Sequence, residues 1–186
     1  MDENYKPARL SHTVITELMI PSYANFGGKI HGGTILSLMD KVAYVCAAKH
    51  AGRYCVTASI DAVNFLQPVE VGELLSLKAM VNHVGKSSLV VGIRVESENV
   101  KSNIIKHTNT SYFTMVAQDD DHRPAVVPGL ILETRDEVRR FIEAIRRKKL
   151  KETIKAETQR IKTPLDIEEA FKLLGDERCE IALREL

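Results

Sequence analysis

The sequence predicts an α+β fold in which an antiparallel sheet wraps around one long apolar helix. Three observations support this class of fold. One apolar segment with helical spacing occurs early, at Thr34 to about His50. Four strand-like segments with short connections follow it, and one precedes it. This order, with strands grouped rather than alternating with helices, is typical of an antiparallel α+β domain.

The first elements are a strand, a loop and the helix. Leu10–Met19 is rich in β-branched residues and predicts a strand that Pro21 ends. The glycine-rich stretch Asn25–Gly33 predicts a loop. Apolar residues dominate from Thr34 to about His50, and Gly52 provides a C-terminal stop.

The polar residues of this helix form one narrow stripe, which Asp40 flanks. The stripe residues lie three or four apart: Thr34, Ser37, Lys41 and Tyr44. We expect other parts of the structure to enclose most of this helix.

Four more strands are predicted after the helix, bounded by proline and glycine at the turns. They are Cys55–Phe65, Leu74–His83, Ser88–Val95 and Ile104–Ala117.

The composition changes after Pro124 and Pro128. A charged helix is predicted from Glu133 to about Lys162, and a second, short helix begins at Thr163 and ends before Gly175. We therefore divide the chain into a domain at 8–128 and a helical extension at 129–186. The basic residues of the helix predicted from Glu133 favour a solvated face, and the alternative is that they contact a nucleotide phosphate or another subunit.

Composition excludes several classes of protein. The 186-residue chain has a net charge of +1, which favours neither nucleic acid nor an acidic substrate. The sequence shows no signal peptide and no apolar run of ~20 residues. The three cysteines are far apart, which indicates neither a disulfide framework nor a metal cluster. We expect a cytoplasmic protein with no nucleic-acid or membrane partner and no metal.

The loop and helix start contain groups suited to acyl transfer. Gly32 and Gly33 open the helix, so unpaired backbone N–H groups could hold a carbonyl oxygen that becomes anionic. Asp40, seven residues beyond Gly33, supplies a carboxylate that could act on water or on the carbonyl carbon.

These segments together resemble a known family. The run Gly28-Lys-Ile-His-Gly-Gly33, six further residues and then Asp40 is followed by the pattern Asp61, Phe65, Pro68 and Gly72. Over about Leu10 to Pro128 the chain resembles the hotdog-fold acyl-CoA thioesterases, most closely their cytosolic acyl-CoA hydrolase branch. The resemblance implies hydrolysis of fatty acyl-CoA to free fatty acid and coenzyme A, without a separate cofactor.

The resemblance also implies roles for individual residues. The catalytic aspartate of the family falls on Asp40 and its loop asparagine on Asn25. The helix-start glycine that contacts the thioester oxygen falls on Gly33, with Gly32 beside it. The remaining substrate-binding candidates are His31 and a turn between strands: Lys86, Ser87 and Ser88.

Local explanations for these residues remain open. Asn25 suits simple turn chemistry, and a loop histidine such as His31 commonly makes a local hydrogen bond. Lys86, Ser87 and Ser88 could form only a hairpin turn.

The resemblance further implies a homo-oligomer. Members of this branch form dimers in which two sheets join edge to edge, with active sites at the interface, and they commonly assemble further as trimers of dimers. Asn25 would then come from the neighbouring subunit. Two alternatives are a non-catalytic acyl-CoA sensor with the same fold and a hotdog dehydratase or hydratase.

Overall fold

The computed structural model describes residues 4–161, together with 174, 177–179 and 182. By its contacts the chain divides into two compact units, Met1–Arg146 and Arg147–Leu186. This boundary lies inside the last long helix, and the predicted division at 128/129 stays a prediction.

A five-stranded antiparallel sheet forms the frame of the first unit. Its strands are β2 (Thr13–Leu18), β3 (Cys55–Ile60), β4 (Leu74–Val84), β5 (Ser88–Asn99) and β6 (Ile104–Ala117), in the order β2-β4-β5-β6-β3. Every neighbouring pair is antiparallel. Two short strands, β1 (Tyr5–Pro7) and β7 (Gly129–Ile131), pair in parallel beside it. The predicted α+β class, an antiparallel sheet around one long helix, is confirmed.

Helix α1 (Gly32–Ala51) packs its apolar side against the inner face of this sheet. Its N-cap is His31, and Gly52 ends it in the left-handed conformation, with φ of 66°. Nine of its residues are buried: Ile35, Leu38, Met39, Val42, Ala43, Cys46, Ala47, His50 and Ala51. Burying a large apolar side chain contributes about 1.5–3 kcal/mol relative to leaving it in water, so this contact stabilises the domain strongly.

Two predicted strands are shorter in the structure. The first begins at Thr13 because Ala8–Ser11 forms a 3-10 turn, which is closed by a bond from the His12 N–H to the Arg9 carbonyl. The strand predicted to reach Phe65 ends at Ile60, just after a bulge between Thr57 and Ser59.

The predicted charged helix is α2 (Arg135–Ile161). Thr134 and Glu137 cap it reciprocally: the Glu137 N–H donates to Thr134 Oγ1 and the Thr134 N–H to Glu137 Oε2. Within the first unit, the ring of Phe141 on this helix lies 4.8 Å from that of His83 on β4. The short helix predicted from Thr163 lies outside the described residues.

Candidate active site

The start of α1 presents an open backbone amide. The Gly33 N–H donates to the ring nitrogen Nδ1 of His31 at 2.9 Å, and the Thr34 N–H donates to the His31 carbonyl at 2.9 Å. Among the described residues, the Gly32 N–H has no hydrogen-bond partner. In this conformation the unpaired N–H donor at the helix start is that of Gly32, and the predicted contact of Gly33 with the thioester oxygen stays a prediction.

Close neighbours explain why glycine suits both positions. A Cβ atom on Gly32 would lie 3.2 Å from Cζ of Phe65, and one on Gly33 would lie 3.0 Å from Nδ1 of His31. Both separations are tighter than ordinary packing, so a side chain here would displace the groups that frame the helix start. The glycine pair keeps this backbone accessible.

The carboxylate of Asp40 is held by a hydroxyl on the neighbouring strand. Thr57 on β3 donates from Oγ1 to Asp40 Oδ1 at 2.5 Å. Met115 Sδ lies 3.4 Å from the same hydroxyl, but a hydroxyl has one proton and a carboxylate is the stronger acceptor. Asp40 is exposed, and its Oδ2 has no hydrogen-bond partner among the described residues. One oxygen is thus oriented by the protein and the other is left available for chemistry.

Thr57 is a site residue that the sequence analysis did not identify. Its hydroxyl reaches Asp40 because β3 runs alongside α1, and the two residues are 17 positions apart in the chain. Threonine is common in strands, so its presence alone does not indicate a site residue. The short connection between α1 and β3, which brings this strand next to the carboxylate, is the feature from which Thr57 could have been predicted.

Asn25 organises the loop before α1. Its Oδ1 accepts hydrogen bonds from the N–H groups of Gly27 at 2.9 Å and Lys29 at 3.2 Å. The turn chemistry left open by the sequence is therefore present. Because the oxygen is occupied, the side chain can act on another group only as a donor, through Nδ2. No hydrogen bond joins Asn25 to Asp40 within the described residues of one protomer.

A groove of about 470 Å³ opens beside the helix start. Its lining residues are Glu17, Tyr23, His31, Gly33, Thr34, Ser37, Leu38 and Lys41. Tyr23 donates from its hydroxyl to Glu17 Oε1 at 2.9 Å, and this hydrogen bond to a carboxylate raises the pKa of the tyrosine above its ordinary value.

The predicted coenzyme A turn lies elsewhere in the protomer. The Ser87 carbonyl accepts a hydrogen bond from the N–H of Ala117, and Ala117 pairs with Cys55 in the sheet. Because Cys55 follows closely after the end of α1, the turn lies near the C-terminal end of this helix. The open amide of Gly32 lies at the opposite end of this 20-residue helix, which is about 30 Å long. One protomer therefore does not bring Lys86, Ser87 and Ser88 to the helix start, and their role in binding stays a prediction.

Two negative findings concern the described part of the chain. It contains no group of three or more His, Cys, Asp or Glu residues that could hold a metal ion. Its helices are too short or too polar to cross a membrane. The predicted cytoplasmic location stays a prediction.

An exposed carboxylate and an open amide thus lie on one helix that packs against an antiparallel sheet. Comparison with known proteins gives the family. A model described as "Thioesterase superfamily" matches residues 27–103. Protein VdlD of Helicobacter pylori is 43% identical over 138 residues, covering 74% of this chain and 79% of that protein. A Bacillus subtilis protein, named an uncharacterized acyl-CoA thioester hydrolase, is 32% identical, with coverage of 83% and 90%.

Solved structures agree with this assignment. A hexameric acyl-CoA thioesterase superposes with a TM-score of 0.80 at 37% identity, covering 82% of this chain and 98% of the other. An acyl-CoA hydrolase from Staphylococcus aureus, in complex with butyryl coenzyme A and coenzyme A, gives 0.77 at 32% identity, with coverage of 84% and 96%. The chain belongs to the thioesterase superfamily. The predicted resemblance and the predicted class of enzyme, a thioester hydrolase, are confirmed.

Proposed function

We propose that this protein hydrolyses fatty acyl-CoA to free fatty acid and coenzyme A. The observation that supports this most is the exposed Asp40 carboxylate on α1, which Thr57 of β3 holds at one oxygen. The first amide of the same helix, at Gly32, has no hydrogen-bond partner among the described residues. The Staphylococcus aureus hydrolase, which is similar over most of the chain, was solved with butyryl coenzyme A and with coenzyme A.

The thioester carbonyl would bind over the N-terminus of α1. Its oxygen would accept a hydrogen bond from the Gly32 N–H, and the positive end of the helix dipole would add to the stabilisation of the oxyanion. The Gly33 N–H becomes a second donor if the ring of His31 turns away from it. Removing one oxyanion donor typically costs about 3 kcal/mol of transition-state stabilisation.

Asp40 would act as a general base through Oδ2. It takes a proton from a water molecule, the resulting hydroxide oxygen bonds to the carbonyl carbon, and the carbonyl oxygen becomes anionic. The intermediate then collapses, the carbon–sulfur bond breaks and coenzyme A leaves as a thiolate, which takes a proton from the medium. In the alternative mechanism, Asp40 attacks the carbonyl carbon, the carbon–sulfur bond breaks to release coenzyme A as a thiolate, and water then hydrolyses the resulting anhydride to release the fatty acid and restore Asp40. Neither path needs a metal or a redox cofactor.

The spacing of three residues supports this assignment. Structures of the Staphylococcus aureus hydrolase include alanine variants of one asparagine, one aspartate and one threonine, separated in that order by 15 and 17 residues. Asn25, Asp40 and Thr57 have the same order and the same separations. We infer that these three residues form one functional set, and that Asn25 uses Nδ2 to orient the carbonyl oxygen or the water.

The site would be completed by a second copy of the chain. Strand β3 lies at an edge of the sheet, so the described residues leave one side of the strand bearing Thr57 without a pairing strand. Similar thioesterases are hexameric. We propose that this chain is a homo-oligomer in which the neighbouring subunit supplies Asn25, built from dimers that assemble as trimers of dimers.

The decisive experiment measures release of free thiol from a panel of acyl-CoAs, from acetyl to octadecanoyl. Wild type is compared with Asp40→Asn and with Asp120→Asn, a control that neutralises another exposed aspartate. We expect turnover to vanish only in Asp40→Asn, and the panel to identify the preferred chain length. Full turnover by Asp40→Asn with native assembly would refute the role of Asp40. Tight binding without turnover in the wild type would favour an acyl-CoA sensor.

A second experiment tests the shared site. Inactive Asn25→Ala and Asp40→Asn subunits are unfolded together, refolded and assayed. If the two residues come from different subunits, mixed assemblies contain some intact sites and activity returns. No recovery in mixed oligomers of native size would contradict the arrangement.

A further inference from the structure

We propose that Phe26 anchors the turn that carries Asn25 on the neighbouring subunit, by packing its ring against Tyr44 and Tyr54 of that subunit. This inference rests on the proposed function, in which Asn25 acts in the site of another subunit, and it adds the side chain that holds Asn25 in place there. Phe26 is a positioning residue in this account, because its ring contacts protein rather than the reacting atoms.

Phe26 lies at the tip of a turn whose shape is fixed by hydrogen bonds. The Asn25 N–H donates to the Lys29 carbonyl at 2.7 Å, and the Ile30 N–H ties the base of the turn to the Val69 carbonyl at 2.9 Å. Phe26 is 114% exposed, so its own protomer leaves the whole ring in water. Burying a phenylalanine side chain is favourable, and a fixed turn loses little conformational freedom when its tip is buried.

The position of Asn25 in the assembly determines where Phe26 goes. Consecutive Cα atoms are about 3.8 Å apart, so Phe26 enters the neighbouring subunit together with Asn25. If Asn25 reaches the site of Asp40 in that subunit, the Phe26 ring lies within about one helical turn of Asp40. A single exposed apolar residue is ordinary on a protein surface, but this one adjoins a residue proposed to cross the interface.

An exposed aromatic pair lies one helical turn beyond Asp40. Residues four apart on a helix lie on the same face, which places Tyr44 next to Asp40. The ring of Tyr44 lies 5.9 Å from that of Tyr54 at an angle of 57°, and both residues are partly exposed. Tyr54 directly precedes β3, the edge strand along which a second copy is proposed to pair.

A third ring suits this pair of tyrosines. Aromatic rings attract one another in tilted and offset arrangements, and buried aromatic side chains near the centre of an interface supply much of its binding energy. A two-fold dimer would contain the contact twice, once beside each active site. The same contact would therefore stabilise the dimer and hold Asn25 at the substrate.

Cross-linking tests the contact directly. Phe26→Cys and Tyr44→Cys are combined in a chain that also carries Cys179→Ser, because Cys179 is the exposed cysteine among the described residues. The assembled protein is treated with a short bifunctional maleimide and analysed on a denaturing gel. The matched control pairs Phe26→Cys with Tyr5→Cys, which alters an exposed tyrosine on another sheet. We expect a covalent dimer from the first pair and monomers from the control.

A double-mutant cycle tests the energetic and catalytic consequences. Phe26→Ala should weaken dimer association about ten- to hundredfold in sedimentation experiments, and Phe26→Leu should recover part of this loss. At concentrations where assembly is complete, Phe26→Ala should lower kcat with little change in KM, because Asn25 is then held less firmly. Tyr44→Ala should act similarly, and the double variant should lose less than the sum of the two. Val126→Ala, at another exposed apolar residue, should match wild type.

Three results would overturn the contact. They are the absence of a covalent dimer from the Phe26→Cys and Tyr44→Cys pair in a normally assembled protein, fully additive effects in the cycle, and a rise in KM without a change of assembly in Tyr44→Ala. The last result would indicate that the tyrosine pair receives substrate instead. A wild type that cross-links as expected but hydrolyses no acyl-CoA would overturn the proposed function and leave the contact standing.

Discussion

The hydrogen bond from Thr57 to Asp40 can be removed with little change of shape. Thr57→Val replaces the hydroxyl by a methyl group and keeps the β-branched side chain that suits strand β3. A hydrogen bond to a charged group is worth roughly 1.5–3 kcal/mol, which corresponds to a roughly 10- to 150-fold effect on a rate. Because Asp40 is exposed and water can replace the hydroxyl, we expect kcat to fall about tenfold, near the lower limit.

The assay compares kcat and KM of wild type, Thr57→Val and Thr57→Ser at substrate concentrations that span KM. KM should change little, because the bond orients the base rather than the substrate, and Thr57→Ser should retain most of the rate since it keeps the hydroxyl. Melting temperature and oligomer size should match wild type for both variants. A folded, normally assembled Thr57→Val enzyme with kcat within about twofold of wild type would refute the reasoning.

Two further predictions concern stability and thiol reactivity. Burial alone would raise the pKa of Glu73, but hydrogen bonds from Lys106 and from the Glu70 N–H outweigh burial and lower this pKa below its ordinary value. The stability of the wild type should therefore decline as the pH falls from the ordinary pKa of glutamate through the lower pKa of the folded state. Lys106→Met should lower the free energy of unfolding by roughly 3–5 kcal/mol at neutral pH, because Glu73 stays buried without its cationic partner, and this loss should shrink in acid. Chemical denaturation at a series of pH values measures the loss and its pH dependence. A loss that is the same at every pH would contradict this account. Burial raises the pKa of the Cys46 thiol to about 12 and of the Cys55 thiol to about 11, so only the exposed Cys179 should react quickly with a thiol reagent at pH 8; rapid labelling of more than one thiol in the native protein would contradict the predicted burial.

The hydrophobic periodicity of the sequence, and the proline and glycine residues that end its elements, were sufficient to predict the fold. The apolar pattern of α1 and the β-branched segments after it specify which face each element buries, and this specification is local. The ends of elements were less predictable. Alternation continues past Ile60, for example, but the strand stops there after a bulge that depends on its pairing with β6.

In the candidate site, too, some residues follow from a local sequence pattern and others depend on tertiary packing. Asp40 and Gly32 lie on one helix, so a local pattern indicates them together. Thr57 reaches Asp40 only through tertiary packing, and the capture of the Gly33 N–H by His31 depends on a side-chain rotamer. Neither contact follows from residue type and spacing alone.

The position of Thr57 on an edge strand has a consequence for kinetics. If a second copy pairs along β3, as proposed, association changes the strand that contacts the Asp40 carboxylate and also supplies Asn25. Specific activity would then fall when the enzyme is diluted and its subunits separate. When the enzyme is concentrated again, activity would return only after a lag, during which the subunits reassociate. The amount of enzyme present would set the rate per molecule as well as the total rate.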